Sequence, residues 1–420
     1  MGDEAGGLTG PGNCTVSGDH TAIEVSAVRV APARFGHLDS SHAPGQQTVI
    51  AREVSAGIPV DFSHGDVGAF PPDPAAAAAV RDALDTGAAW AYSPYRGHRH
   101  VRSVVAERLT ALIDVPIDSE RQVLISAGTQ AGLFLAMSSV IERGDRVGIV
   151  APDYFAYRKI TEFLEAQPVE LELRYRDRNG AGEIDLESLE SAVASGVRVI
   201  VFSNPNNPTG VVYGRSHLGE INALLASYGA FAVVDQLYCR QIFDGRDYTH
   251  FARLEGAAER TLTLVGPSKT ESLSGFRLGV TIAPEPIISR MESLQGLVTL
   301  RAPGYSQAAL QPWLNEPPGW LAARIAAHQR IRDDLMAVID ASDAVSARPA
   351  EGGSYLFVHI PSAAGRLDAF VDTLRVDEGV TVTRGTEFGA FPDGIRLNFS
   401  QDHAAAIAAM QRIEQLAARW

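Results

Sequence analysis

Short segments rich in β-branched apolar residues alternate with longer segments in which apolar residues recur every three or four positions. Such alternation is typical of βαβ units, in which helices cover both faces of a mostly parallel sheet. It therefore predicts an α/β protein. The predicted strands are residues 146–150, 197–203, 231–235 and 260–266, and the predicted helices are residues 75–85, 97–113, 129–141, 185–194 and 218–228.

The C-terminal third has a different pattern. A long amphipathic helix is predicted from about Pro318, followed by the strands GGSYLFVHI, GVTVTRG and GIRLNFS and a closing helix from Asp402. Near the other end, QQTVIAREVSAG is predicted to be a helix and FSHGDVGAFPP a loop that folds back on this region. We predict a large domain at residues 76–298 and a smaller α+β domain formed by residues 21–75 and 299–420, with a disordered tail at residues 1–20.

Composition favours chemistry on small molecules. The net charge is 36 minus 50, or -14, and no run of Lys and Arg interrupts the acidic balance, which argues against nucleic acid or an anionic membrane as a partner. Only Cys14 and Cys239 are present, so we expect no disulfide framework and a reducing compartment, the cytoplasm. The sequence shows no signal-peptide pattern and no long apolar run, and no metal site is predicted.

The segment SKTESLSGFRLG, residues 268–279, follows a predicted strand and places Lys269 and Arg277 eight positions apart. A partly buried lysine at a strand end can lose its proton and form an imine with an aldehyde cofactor. The arginine can bind a phosphate through two parallel hydrogen bonds. A Lys and an Arg in a loop are more often surface charges, so this interpretation needs support from other segments.

Two more polar segments follow predicted strands. In SNPNNPTG, residues 203–210, Asn207 can donate a hydrogen bond to a ring oxygen, although Asn-Pro is also common in plain turns. In FAVVDQLYCR, Asp235 ends an apolar strand and Tyr238 lies three residues further on. A carboxylate in an apolar setting needs a cationic partner, and a protonated pyridine nitrogen is one. Ligands of open α/β sheets collect at these strand ends.

The segment LISAGTQAGLF, residues 124–134, combines a short strand, a turn of small residues and a helix start. The first amides of a helix lack acceptors and carry a partial positive charge, so they can bind an anion. Here they belong to Gly128, Thr129 and Gln130. The segment lacks the Gly-Lys-Ser/Thr ending of a Walker motif, and a helix cap at Ser126 or Thr129 explains it equally well.

Taken together, these segments resemble the pyridoxal-5'-phosphate (PLP)-dependent aminotransferases of class I/II, in the aspartate aminotransferase-like superfamily. The resemblance runs from about Gln46 to the C-terminus and includes YSPYRGHRHVR, GDRVGIVAPDYFAY and GIRLNFS. It implies the fold of that superfamily, with a mostly parallel seven-stranded sheet in the large domain. It also implies a reaction that moves an amino group between an L-amino acid and a 2-oxo acid.

The resemblance assigns roles around the cofactor ring. Lys269 resembles the lysine that carries PLP as a Schiff base and shuttles the proton at the substrate's α-carbon. Asp235 resembles the carboxylate that pairs with the pyridinium nitrogen, and Asn207 and Tyr238 resemble the pair that bonds the ring's phenolic oxygen. Tyr154 falls where the family has an aromatic ring stacked on the pyridine.

The remaining roles concern the phosphate and the substrate. The resemblance implies a phosphate site that includes Gly128, Thr129, Gln130, Ser268, Arg277 and, from the neighbouring subunit of a homodimer, Tyr92. Arg396 resembles the arginine that binds the substrate's α-carboxylate, with Gly65 and Asn207 lining that end of the pocket.

Several questions stay open from the sequence. Gly266 stands where many relatives have a phosphate-binding Ser, and Gln236 where Glu is common. Arg301 and His64 could contact the substrate, but an interface arginine and a loop histidine are the favoured interpretations. The same cofactor also supports elimination, replacement or cyclisation. A catalytically inactive regulator is disfavoured because Lys269 and its partners are intact.

Overall fold

The computed structural model describes residues 58–87 and 90–420, and its largest element is an eight-stranded sheet. The tail predicted to be disordered, Cys14 and the helix predicted in QQTVIAREVSAG lie outside the described residues. The strands are β1 (Val60–Asp61), β2 (Val123–Ala127), β3 (Arg146–Ala151), β4 (Gln167–Arg174), β5 (Glu183–Ile184), β6 (Val199–Ser203), β7 (Phe231–Asp235), β8 (Thr261–Val265), β9 (Leu278–Ile282), β10 (Ser346–Ala347), β11 (Tyr355–His359), β12 (Val380–Thr381), β13 (Thr383–Arg384) and β14 (Gly394–Asn398).

The predicted helices agree with the structure to within about three residues at each end, whereas the helices at Ala156–Phe163, Glu285–Val298, Gly304–Gln307 and Leu367–Val376 were not predicted. Local capping residues explain part of this agreement. Asp73, Asp185 and Asp402 cap three of the helices by accepting hydrogen bonds from amides of the first turn. The helices are α1 (Pro74–Asp85), α2 (Arg99–Ile113), α3 (Thr129–Val140), α4 (Ala156–Phe163), α5 (Leu186–Ala194), α6 (Arg215–Tyr228), α7 (Glu285–Val298), α8 (Gly304–Gln307), α9 (Trp320–Asp340), α10 (Leu367–Val376) and α11 (His403–Arg419).

The large sheet has the order β2-β9-β8-β7-β6-β3-β4-β5. Strands β8, β7, β6, β3 and β4 are parallel, while β9 runs antiparallel to both of its neighbours and β5 antiparallel to β4. The central strands are mostly apolar because helices cover both faces, and every residue of β6 and β8 is buried. The sheet has eight strands rather than the predicted seven, and the two-residue edge strand β5 is too short to show a pattern.

A second sheet lies in the C-terminal third, with the antiparallel order β10-β11-β14-β13. Its apolar side packs against α9 and α11 in a core that also includes Val60, Phe62 and Phe70. The segment after residue 58 joins this region directly, since β1 pairs in parallel with β12. The division of the chain into two domains stays a prediction. No helix among the described residues is long and apolar enough to cross a membrane.

The start of α3 lies close against β9. A Cβ built on Gly279 of β9 would fall 2.5 Å from the amide nitrogen of Thr129 and 2.6 Å from its Cα. Only a glycine allows this backbone approach. The contact holds the first turn of α3 at the carboxyl-terminal edge of the sheet, where β6, β7 and β8 also end.

We predict that G279A destabilises the protein by about 2–3 kcal/mol, because the added methyl group must push the backbone of α3 away from β9. The matched control is G219A in α6, where a Cβ meets nothing within 4 Å. That change should stabilise the helix by about 0.5–1 kcal/mol. Urea unfolding monitored by circular dichroism measures both, and equal effects of the two substitutions would contradict the close-contact explanation.

Candidate active site

A cavity of about 180 Å³ opens at the carboxyl ends of β6, β7 and β8. It brings together most of the residues that the sequence predicted for the site. Its lining consists of Thr129, Gln130, Leu133, Tyr154, Ser203, Pro205, Asn207, Asp235, Leu237, Tyr238, Ser268, Lys269, Ser274, Arg277 and Tyr355. Among the residues that the structure describes, Gly128 and Arg396 lie directly behind this lining, whereas Gly65 and Tyr92 do not line the cavity.

Asp235 is the last residue of β7. Its carboxylate accepts hydrogen bonds from the Leu237 amide at 3.1 Å and from the Tyr157 hydroxyl at 3.2 Å. None of the ion pairs within residues 58–87 and 90–420 involves this carboxylate. Burial is therefore the dominant influence, and it raises the pKa of Asp235 from 3.8 to about 6. A cationic group beside the carboxylate would remove this penalty.

Lys269 projects into the cavity from the loop that follows β8. Its neighbours Ser268 and Thr270 are buried, whereas the Lys269 side chain is exposed. The loop is held by two hydrogen bonds, from the Ser272 amide to the Lys269 carbonyl and from the Leu273 amide to the Pro267 carbonyl, both 3.0 Å long. The fixed loop therefore presents one primary amine to the cavity.

The start of α3 and Arg277 form an anion site at one end of the cavity. Thr129 and Gln130 are the first residues of α3, so their amides have no intrahelical acceptor. The sequence suggested that the Gly128 amide is also free for a ligand. In the structure this amide instead donates to the Ser126 carbonyl at 2.8 Å. The buried Thr129 hydroxyl has no partner among the described residues. These groups fit a phosphate.

Arg277 reaches the anion site through an uncommon backbone conformation. Its φ of 53° lies in the left-handed region, and its guanidinium donates to the Ser274 carbonyl at 2.9 Å. A Cβ on Gly128, whose φ is 88°, would overlap this guanidinium. The glycine therefore makes room for the charge that a phosphate requires.

Asn207 and Arg396 connect the cavity to the C-terminal sheet. Arg396, in β14, donates to the Asn207 side-chain oxygen at 3.2 Å, to the Ser63 carbonyl at 2.9 Å and to the Thr383 hydroxyl at 3.1 Å. Its Nε is buried and has no partner among the described residues. A buried guanidinium with an unused donor beside an open cavity fits a carboxylate ligand.

Of the remaining predicted residues, Tyr154 lines the cavity, whereas Gly65 and His64 do not. The Tyr154 hydroxyl donates to Gln130 at 3.0 Å, and burial raises the pKa of this tyrosine. Gly65 packs against Ser400. The His64 imidazole lies 3.3 Å from Asp61, whose hydrogen bond raises the pKa of the histidine.

Tyr92 is largely exposed, and its ring stacks on Arg301. The guanidinium carbon of Arg301 lies 4.4 Å from the Tyr92 ring centre and 4.6 Å from that of Tyr95, and Arg301 also donates to the Ser93 carbonyl at 2.7 Å. These contacts hold Arg301 at the protein surface.

Three further residues contact the site and were not predicted from the sequence. Tyr355 accepts a 2.7 Å hydrogen bond from Tyr238, and Tyr157 contacts Asp235. Asp153 accepts from the Ser203 amide at 2.9 Å, while the Ser203 hydroxyl accepts from the Asn207 amide, also at 2.9 Å. The only available signal was that Asp153 and Tyr157 flank the predicted stacking residue and that Tyr355 lies in a predicted strand.

Residues 58–413 match the family model for aminotransferases of class I and II. The chain belongs to this family. Members of class I and II use PLP, so this chain is a PLP-dependent transferase that acts in amino-group transfer. The contacts fit the cofactor, because among the described residues the Asp235 carboxylate has no ion-pair partner, the α3 start has unused donors, and the Lys269 amine lines the same cavity.

Individual aminotransferases are similar over most of the chain. A solved aspartate aminotransferase from Rhodobacter sphaeroides is 49% identical, covers 87% of this chain and 94% of its own, and superposes with a TM-score of 0.84. The aspartate aminotransferase of Pyrococcus horikoshii is 29% identical over 80% of this chain and 85% of its own. An arginine–pyruvate transaminase of Pseudomonas aeruginosa is 28% identical over 80% of this chain and 84% of its own.

The raised pKa of Asp235 predicts how stability depends on pH in the cofactor-free aminotransferase. Because the folded protein binds this proton more tightly than the unfolded chain, the group's contribution to stability falls as pH rises from 3.8 to about 6 and is constant above. In D235N this contribution is absent. The unfolding free energy of D235N minus that of the wild type should therefore rise by about 2 kcal/mol between about pH 4.5 and about pH 7.

Urea unfolding at several pH values measures this difference, and any pH-independent cost of the amide cancels. With PLP bound, its cationic ring nitrogen should stabilise the Asp235 carboxylate. Near pH 7 the wild type should then be more stable to unfolding than D235N. A difference that does not vary with pH in the cofactor-free protein would show that Asp235 has an ordinary pKa.

Proposed function

We propose that this chain transfers an amino group between an L-amino acid and a 2-oxo acid, with Lys269 as the residue that bonds PLP covalently and moves the proton. One observation carries the proposal. A single cavity contains the Lys269 amine, the half-buried Asp235 carboxylate and the anion site at the α3 start. These three groups match the aldehyde, ring nitrogen and phosphate of PLP.

PLP, when bound, supplies an aldehyde and an electron-withdrawing ring that stabilises negative charge at the substrate's α-carbon. The carboxylate of Asp235 would keep the ring nitrogen protonated, and Asn207 and Tyr238 would donate to the phenolic oxygen. Lys269 Nζ would remove the proton from the amino acid's α-carbon and deliver it to the carbon of the cofactor's aldehyde group. Thr129, Gln130, Ser268 and Arg277 would hold the phosphate, and Tyr154 would lie against the ring.

The α-carboxylate of the substrate would bind Arg396. The guanidinium has three neighbours already, and its unused Nε leaves a further donor. A carboxylate bound here would lie beside Asn207, which lines the same cavity as Lys269. Gly65 supports this end of the site through the segment that includes Ser63. A cytoplasmic location stays a prediction.

The sequence contains only two lysines, Lys269 and Lys159, and the second is a matched control. Lys159 forms an ion pair with Glu387 on the surface. We expect K269A to lower turnover by about 10⁴-fold or more, because both the covalent bond and the proton transfer are lost. K159A should retain turnover within about twofold.

A panel of amino acids with a 2-oxo acid acceptor tests the proposal, with formation of the new amino acid as the measurement. K269A turnover close to that of K159A would exclude the assigned role. Release of ammonia, or of a product other than the 2-oxo acid, would instead favour elimination or replacement.

We infer that the protein is a homodimer and that Tyr92 completes the partner's phosphate site. An exposed apolar surface supports this inference. It comprises Trp90, Tyr92, Tyr95, Leu297, Val298, Leu300 and Tyr305. Tyr92 and Tyr95 are connected through Arg301, and Tyr95 lies beside Gly296 in α7. Large apolar surfaces of this kind usually form protein interfaces.

We predict that L297E converts the dimer to a monomer and weakens PLP binding, because it places a charge in the apolar surface. Leu297 is 83% exposed in the single chain. V376E, at the end of α10, is the matched control, since Val376 is 61% exposed but lies outside that surface. Sedimentation velocity gives the oligomeric state. A wild-type monomer with full activity would remove Tyr92 from the site.

A further inference from the structure

One buried tyrosine contacts two groups of the proposed site at once. Tyr355 is the first residue of β11 and is 3% exposed. Its hydroxyl accepts a 2.7 Å hydrogen bond from the Tyr238 hydroxyl, and the two rings meet edge to face at 5.3 Å. The guanidinium carbon of Arg396 lies 4.4 Å from the centre of the Tyr355 ring. The Tyr355 hydroxyl therefore contacts Tyr238, whereas the Tyr355 ring contacts Arg396.

The contact with Arg396 favours one orientation of that guanidinium. A guanidinium over an aromatic face is attracted by the ring, and the attraction is greater where water is excluded. Phe388 lies on the same guanidinium at 5.1 Å, so Arg396 is packed between aromatic rings. Its hydrogen bonds to Asn207 and Ser63 lie at the guanidinium edge. The aromatic rings thus occupy the faces of Arg396, and at its edge only the Nε donor has no partner among the described residues.

The contact with Tyr238 has a different consequence. A hydroxyl donates one hydrogen bond and accepts two. Tyr238 can donate to Tyr355, as it does here, or it can accept from Tyr355 and donate to a third group in the cavity. In the second arrangement Tyr355 makes Tyr238 a stronger donor, because linked hydrogen bonds polarise one another.

The surrounding charges favour Tyr355 as a donor. Burial alone would raise the pKa of Tyr355, but the positive charges of Lys269 and Arg396, together with the hydrogen bond that Tyr238 donates in the present arrangement, lower it. Of these causes, the two charges also act when Tyr355 is the donor. Burial raises the pKa of Tyr238 instead. The more acidic hydroxyl is the better donor, and Arg396 stays charged when Lys269 is bonded to the cofactor.

We propose that Tyr355 is a positioning residue that orients Arg396 through its ring and polarises Tyr238 through its hydroxyl. The proposal rests on the proposed function, since it assigns Arg396 to the substrate carboxylate and Tyr238 to the phenolic oxygen of PLP. It adds that Tyr355 contacts both the carboxylate site and the cofactor site. Its ring serves the first and its hydroxyl the second, so the two contributions can be removed separately.

Two substitutions separate the contribution of the Tyr355 ring from that of its hydroxyl. Y355F keeps the ring and removes the oxygen, whereas Y355L removes both. Y175F is the matched control, because Tyr175 is also buried and its hydroxyl bonds His359 at 3.0 Å, away from the cavity. Three measurements on PLP-loaded protein are needed: the pH midpoint of the cofactor's visible absorption, kcat, and KM for the best amino acid of the panel.

For Y355F we expect the absorption midpoint to move up by about half a pH unit, because a weaker donor at the phenolic oxygen favours its protonated form. Its kcat should fall about fivefold, while KM stays within about twofold. Y355L should show the same midpoint shift and also a KM about tenfold higher, since the ring under Arg396 is lost. Y175F should leave all three values unchanged.

The proposal is overturned if Y355F has the midpoint and kcat of Y175F, or if Y355F raises KM as much as Y355L does. If Y355L does not fold, the absorption midpoint of Y355F still decides the role of the hydroxyl. Failure of the proposed function has a different signature, because the wild-type protein would then convert no amino acid of the panel.

Discussion

The site is organised around the cost of burying the Asp235 carboxylate at the end of β7. Within the described residues, only a tyrosine hydroxyl and a backbone amide donate to it, and its pKa is raised to about 6. A carboxylate in that position costs free energy unless a cation is brought to it. PLP brings such a cation in its ring nitrogen. We therefore propose that the carboxylate that weakens the cofactor-free protein also recognises the cofactor.

The parallel sheet positions the other groups of the site relative to the Asp235 carboxylate. Since β6, β7 and β8 are parallel neighbours, Asn207, Asp235 and Lys269 follow their carboxyl ends side by side. The close packing of α3 on Gly279 adds an anion site at the same edge. The C-terminal sheet supplies Arg396 and Tyr355 from the opposite side. Amine, carboxylate and anion site thus come from distant parts of the chain to one cavity.

The sequence predicted most of the described helices and the central strands because their patterns are local. It also predicted Lys269, Asp235 and Asn207 as neighbours, because each follows an apolar strand. Tyr355 was missed because its partners lie 117 residues away at Tyr238 and, across a strand pairing, at Arg396. The engaged amide of Gly128 and the edge strand β5 were missed for a related reason. Both depend on exact backbone geometry rather than on the pattern of side chains.

We propose that Lys269 is the amine that bonds the cofactor. Borohydride reduction of the PLP-loaded protein, followed by digestion and mass spectrometry, tests it directly, because the chain has one other lysine, Lys159, as an internal reference. The predicted result is a stable pyridoxyl label on the peptide containing Lys269 and none on the peptide containing Lys159. A label on Lys159, or no label on either peptide in a protein that still transfers amino groups, would contradict the account.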